Sequence, residues 1–199
     1  VGLVTELPLA GQSADFDFKI EGRSEPAPGQ NPHADIRNIN HDYFRAMRIP
    51  LRKGRNFTEA EVRDNAKVVL ISDELARLYF AGEDPLGQRL LAGSLSRESY
   101  EIIGIVGDVR HRGLDRGLRQ TIYFPSLRLG YANLVIHTAN DPVSLAAAVR
   151  REVAAIDPNQ PVANIKTMGR WVSESVAQPR FRTLLLGLFS GAALLLAMV

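Results

Sequence analysis

Residues 67–90, KVVLISDELARLYFAGEDPLGQRL, decide the reading of this chain. Val68 to Ile71 is an unbroken aliphatic run, the pattern of a strand covered on both faces. It passes directly into DELARLYF, where Leu75, Leu78 and Tyr79 fall at helical spacing and predict a core-facing stripe. Gly82, the Asp84-Pro85 pair and Gly87 then stop the helix, and QRLLAG reads as another strand. A strand, a helix and a second strand thus follow one another within this stretch.

Working outward, YEIIGIVGDV (100–109) and QTIYF (120–124) read as further strands. Gly104 and Gly107 interrupt an apolar run and lack the spacing of a dinucleotide loop, so they predict a bulge or close strand packing. Upstream, DFDFKI (15–20) alternates like a half-buried strand, and EGRSEPAPGQNP (21–32) is an exposed loop. HADIRNI (33–39) is the next strand, and Asn40 is the expected N-cap of a short helix carrying Tyr43, Phe44 and Met47. IPLRKGRNF (49–57) is extended, and Thr58 with Glu61 has capping-box spacing.

Residues 132–168 predict a β-α-β unit. ANLVIHTA is its first strand, and Asp141 with Pro142 opens a helix at the position where a missing N–H does no harm. Leu145, Val149, Val153 and Ile156 mark one helical face, Asp157-Pro158 ends it, and PVANIKT (161–167) is the expected returning strand. The pattern echoes residues 33–57 without a strict repeat. The expected core comprises Val69, Ile71, Leu75, Leu78, Ile103, Ile105, Leu145, Val149, Val153, Val162 and Ile165.

Several chemistries are missing from the residue pattern. The 199 residues contain no cysteine, which excludes disulfides and thiolate sites, and a net charge of +2 gives no argument for nucleic acid. No GxxxxGK[ST] phosphate loop occurs. The four histidines, His33, His41, His111 and His137, have no HExxH spacing. Asp108 and His111 form a lone DxxH, which a solvated loop explains better than a metal. GLFSG (187–191) is not a GxSxG elbow, and RHRGLDRGLR (110–119) reads as an exposed loop before a phosphate or headgroup site. We therefore expect no enzyme, and assign no catalytic, cofactor-binding or metal residue. The chain starts at Val1 with no signal peptide ahead of it, as expected of a sequence that begins inside a protein.

The last stretch, FRTLLLGLFSGAALLLAMV (181–199), carries no charge from Leu184 to Val199 and is apolar all round a helix. It is expected to be the first part of a transmembrane helix, the alternative being a buried core helix or an aggregation-prone tail. Arg180 and Arg182 flank it, but large domains translocate regardless of such charges.

Taken in order, DYFRAMRIPLRKGRNF, VVLISDELARLYFAGEDPLGQRL, YEIIGIVGDVRHRGLD, TIYFP and DPVSLAAAVRREVAAIDPNQPVANIKTM resemble the MacB-like periplasmic core domain of ABC transporter permeases. PRFRTLLLGLFSGAALLLA resembles the entry to that family's second transmembrane helix, and AAIDPNQPV followed by QPRF is most similar to the duplicated permeases of Acidobacteria. The resemblance implies an α+β fold: a porter-like β-α-β subdomain, made of residues 1–64 and 129–178, with an inserted mixed β/α subdomain at 65–128 and the start of the membrane helix at 181–199. It further implies an FtsX-like permease in the bacterial inner membrane, with this domain on the extracytoplasmic side. Its partners would be a separate cytoplasmic ATPase subunit, a second permease half in a dimer or pseudo-dimer, and a periplasmic protein. The expected function is non-catalytic: relaying ATP-driven movement across the membrane, or contacting substrate or partner proteins, with Gln178-Pro179 as the joint to the helix. The alternative is a membrane-anchored hydrolase or ligand-sensing domain, which would need a polar cleft holding two or more of His41, Asp108, His111 and Asp115.

Overall fold

The computed structural model describes residues 1–10, 14–24, 26–27, 29–92, 98–113, 117–126, 132–175 and 189–190. Two compact units divide at residue 137, Val1–His137 and Thr138–Val199. The first begins with β1 (Gly2–Val4), β2 (Asp15–Ile20) and β3 (His33–Asn38), then the short helix α1 (Tyr43–Met47) and β4 (Leu51–Gly54). Helix α2 (Glu59–Asp64) follows, then β5 (Val68–Ser72), α3 (Asp73–Tyr79), β6 (Arg89–Ala92), β7 (Glu98–Val106), β8 (Thr121–Phe124) and β9 (Asn133–Val135).

Seven strands form one sheet in the order β4-β7-β5-β8-β3-β2-β6, and β6 also pairs with β7. Leu90 to Ala92 face Ile20 to Phe18 of β2 on one side, while Arg89 to Ala92 face Glu101 to Glu98 of β7 on the other. The circuit β7-β5-β8-β3-β2-β6 therefore closes on itself, which spares these six strands the open edges that a flat sheet would expose, with β4 left outside it. Strands β2, β3 and β4 precede residue 65 and β5 to β8 follow it, so this one sheet is woven across that point. A separate antiparallel pair joins β1 to β9, from Gly2 opposite Val135 to Val4 opposite Asn133.

The aliphatic run of β5 lies mid-sheet, parallel to β7 and antiparallel to β8, and both its faces are covered. Val69, Ile71, Ile102, Ile105, Ile122 and Phe124 turn to one core with Phe18, Leu90 and Leu75 of α3. Leu70, Ile103, Val106 and Tyr123 turn to the other, with Val4, Ile39, Tyr43 and Phe44. Strict alternation would not give this pattern along β7. A bulge does: Val69 pairs with Ile102 and Leu70 with Gly104, which makes Ile103 the extra residue.

Two glycines let β4 lie on that bulge. Gly54 pairs with Gly104, and a side-chain carbon at Gly54, where φ is +78°, would stand 2.3 Å from the Ile103 carbonyl oxygen. One at Gly104 would stand 2.6 Å from both the Arg55 carbonyl oxygen and Leu70 Cδ2. At Gly107 it would meet Pro50 Cγ at 2.9 Å. Close backbone approach thus explains the glycines of the EIIGIVGDV run, as expected.

Of the three expected helix N-termini, two form as caps and one does not. Thr58 Oγ1 accepts from the Glu61 N–H at 3.2 Å and Glu61 Oε2 accepts from the Thr58 N–H at 2.8 Å, a complete capping box. Arg55 grips Glu61 through both guanidinium nitrogens, which lowers that carboxyl to about 2. Asn40 is not a cap. Its Oδ1 accepts from the Leu3 N–H at 2.8 Å, tying β1 to the turn, and α1 starts later, after Asp42.

The expected core also needs correction. Leu78 is 45% exposed, because the inward side of α3 runs through Leu75, Ala76 and Tyr79. In the second unit, Asp141 does cap, accepting from the Val143 N–H ahead of a 3₁₀ turn at Pro142–Leu145 and α4 (Ala146–Ile156). Leu145, Val149, Val153 and Val162 are only half-buried, however, and Ile156 and Ile165 are 87% and 41% exposed. The returning strand at 161–167 is not formed: Pro161 cannot donate to a ladder, and Asn164 takes the left-handed conformation at φ +55°. Residues 168–175 are helical, with Glu174 held by Lys166 at 2.7 Å and Arg170 at 3.0 Å. Among the described residues no helix is long and apolar enough to cross a membrane. The apolar run at 181–199, residues 189–190 apart, and the Gln178-Pro179 joint lie outside the described residues.

Candidate functional site

Polar chemistry concentrates on the outer face of β3 and β8. Asp35 and Arg37 alternate with Ala34 and Ile36 along β3, so both charges share the face that Ile39 continues. Both side chains are 0% exposed. A buried charge survives only if paired and hydrogen-bonded, and each finds its partner in a distant segment. Asp35 Oδ1 accepts from Arg112 Nη2 at 3.1 Å and from Arg119 Nη2 at 3.2 Å, and the same two nitrogens reach Asp15 Oδ2 at 3.4 and 3.3 Å. Arg37 Nη1 pairs with Glu6 Oε2 at 3.1 Å. Residues 6, 35 and 37, 112 and 119 are thereby locked on one face.

His111 lies under the same cover at 2% exposure, with Nε2 3.5 Å from the Tyr123 hydroxyl. Burial first, and the nearby Arg37 charge second, lower the imidazole to about 3, so it is neutral at physiological pH. Burial likewise raises the Tyr43 and Tyr123 hydroxyls. The Leu9 N–H donates to the His111 carbonyl at 2.8 Å, which adds a backbone tie between the first and last segments of the cluster. Neighbouring Ser72 joins two elements: its Oγ accepts from the Leu75 N–H at the start of α3 and from the Thr121 N–H at the start of β8.

The residues on which a hydrolytic site would have rested do other work. Asp108 Oδ1 accepts from the Glu74 N–H at 2.8 Å, and burial raises its carboxyl above the usual range. His41 is a surface residue whose ring lies 3.7 Å from Asp42 and whose carbonyl accepts from Asn56. His111 is closed to solvent, and Asp115 lies outside the described residues. Among the described residues no group of three or more His, Cys, Asp or Glu is placed to hold a metal ion. A pocket lined by Asn38, Asn65, Lys67, Tyr100, Phe124 and Ser126 occurs near the far ends of β3 and β8. Its cation is engaged: the Lys67 ammonium pairs with Glu98 and sits 5.1 Å from the Tyr100 ring centre.

What the arrangement can do is hold. Neutralised charges reach across 77 and 84 residues of sequence, and no acid, base or nucleophile among them faces solvent as a poised pair. Sequence reasoning missed this cluster, because a strand of alternating charge reads as a solvated face. The one available signal was that Asp35 and Arg37 fall on the same side of β3 as Ile39.

The chain compares with known proteins along most of this unit. The family model described as the MacB-like periplasmic core domain matches residues 9–156. The macrolide export ATP-binding/permease protein MacB of Mannheimia succiniciproducens is 30% identical over 74 residues, 37% of this chain and 11% of that protein. The protein of the same name from Aggregatibacter actinomycetemcomitans is 28% identical over 92 residues, 46% of this chain and 14% of its own length. The chain therefore aligns with only a small part of these relatives. In three dimensions it is similar to the crystal structure of the periplasmic region of MacB from Actinobacillus actinomycetemcomitans. The TM-score is 0.53 at 17% identity, over 77% of this chain and 66% of that one, a likeness of mixed α/β fold. With its strand–helix–strand core matched from residue 9 to residue 156, this chain belongs to the MacB-like periplasmic core domains of ABC transporter permeases.

Proposed function

We propose that this domain is a non-catalytic, extracytoplasmic body of an inner-membrane ABC permease that relays ATP-driven movement across the membrane. The observation that carries this reading is the locked charge cluster on a closed sheet. A relay needs a body that moves as one piece, because packed interiors shift between discrete arrangements and do not deform smoothly. Asp35, Arg37 and their partners bind the N-terminal segment, β3 and the 111–119 segment into such a piece. The apolar run at 181–199 would be the attachment to the bilayer.

We place ATP hydrolysis in a separate cytoplasmic subunit, although the two MacB relatives carry ATP-binding and permease in one name. A second permease half and a periplasmic protein complete the proposed assembly. We also propose a porter-like subdomain of residues 1–64 and 129–178 and an inserted subdomain at 65–128, on the strength of the segment order in the sequence.

The test uses the intact permease with its ATPase in membranes. Spin labels go on exposed sites, since the domain contains no native cysteine to interfere. A pair at Arg45 and Glu59 reports the domain interior, and single labels report distances between domains. ATP should change the second set and leave the first unchanged. A change within the domain, or no change between domains, would overturn the relay. So would ATP binding by the isolated chain in calorimetry.

A further inference from the structure

Strand β4 is the one member of the main sheet outside the closed circuit. Among the described residues it pairs with β7 alone, and all four of its residues are exposed, Leu51 at 44%. Cations crowd this edge: Arg48, Arg52, Lys53 and Arg55 fall within eight residues. Two are neutralised, Lys53 by Asp84 at 2.8 Å and Arg55 by Glu61 at 2.7 Å. Arg48 and Arg52 are exposed and make no ion pair among the described residues.

Charged side chains and a bulge are common devices that stop sheet edges from joining. Both are present, since the register slips between Leu51 and Lys53 and leaves Arg52 as the extra residue. The device is one-sided, however. It repels a second copy of the same strand, which brings the same cations, while an acidic strand meets two unneutralised arginines and a half-exposed leucine. Cations placed only to keep the edge clear would need no such surplus beside the paired Lys53 and Arg55.

We propose that the outer edge of β4, with Arg48 and Arg52, docks an acidic, extended segment of a partner protein by strand addition. Backbone hydrogen bonds to β4 would supply binding, and alternate carboxylates facing the two arginines would supply selectivity. This gives a chemistry to the periplasmic contact proposed above and rests on that reading. The peptide test below reads the edge directly, so its failure would leave the relay standing.

The probe is a capped peptide of alternating glutamate and threonine, about eight residues long, the length of a typical strand, titrated into the whole chain. A lysine–threonine peptide of equal length is the control. The acidic peptide should bind, and protect the amides of residues 51–54 from hydrogen exchange. Arg52→Glu and Arg48→Glu should each weaken it by about tenfold. Both positions are exposed, so the variants should keep the parent melting temperature, which reports folding separately. Equal binding of the lysine peptide, protection elsewhere, or indifference to both substitutions would overturn the proposal. Preferential binding to phosphatidylglycerol vesicles through the same arginines would overturn it too, and identify a lipid-facing edge.

Discussion

Asp35 and Arg37 stand two residues apart on one face of β3, both fully buried, and each pairs with a charge brought in by another segment of the chain. Asp35 is matched by Arg112 and Arg119, and Arg37 by Glu6. Such pairs add little net stability compared with an apolar filling, yet removing one partner strands the other. Their value lies in specifying which segments meet.

Asp35→Asn is therefore expected to destabilise the domain by about 2–3 kcal/mol, toward the low end for a buried pair because the two arginines keep some contact with water. Urea unfolding should read this loss. Trypsin should also cut faster within residues 110–119 under native conditions. An unchanged midpoint and an unchanged cleavage rate would show that the cluster holds nothing.

His111 gives a pH dependence of definite sign. Its folded value of about 3 lies below the ordinary 6.5, so the unfolded chain takes the proton first. The corresponding stability is complete above pH 6.5 and is lost as pH falls from there toward 3, up to roughly 5 kcal/mol. His111→Gln should flatten the profile between pH 4.5 and 6.5, where most carboxylates remain ionised. A wild-type profile flat over that range would refute the buried neutral state.

Gly54→Ala and Gly104→Ala should each cost about 1–3 kcal/mol or more, the range for forced overpacking. The added carbon meets backbone oxygen at 2.3 and 2.6 Å, and backbone cannot swing aside like a side-chain tip. Chemical denaturation checks this. Gly82→Ala is a useful comparison, since it shares a positive φ with Gly54 and meets no neighbour within 4 Å.

Ile71→Ala, in the covered middle strand, should cost about 2–5 kcal/mol. Leu78→Ala and Ile156→Ala should stay within about 0.5 kcal/mol, and Val149→Ala should fall between. That ranking, read from unfolding midpoints, separates the observed burial from the periodicity that placed Leu78 and Val149 deep.

The main strands were legible because they carry their own signals: an aliphatic run for β5, alternation for β2, Gly and Pro at their ends. The capping box at Thr58 and Glu61 was legible for the same reason. What could not be read depends on distant partners. Nothing local says that β6 pairs on both sides, that Asp35 meets Arg119, or that Asn40 serves Leu3 and leaves its helix uncapped. The misjudged residues of α4 have a similar cause. Periodicity names the face of a helix, and only packing decides how much of it is covered.

The run at 181–199 has its own test. Deleting it should leave the domain folded, with unchanged circular dichroism, and make it more soluble, since exposed apolar surface is unfavourable by roughly 25 cal/mol per Å². Loss of the folded signal would make the segment a core helix and remove the proposed attachment.

The closure of the sheet has a consequence for how the chain matures. Strand β3 lies between β2 and β8 in the finished circuit, and β8 is made some eighty residues after it, Asp35 pairing with Thr121. A chain emerging amino end first must hold the β2-β3 hairpin with one flank bare until residue 124 appears. Parallel pairing over such a separation forms late, after its loop entropy has been met. Secretion of this domain is thus a race between arrival of β8 and capture of that flank by another chain. Mutations in β8 should then lower the yield of folded protein more than they lower its final stability.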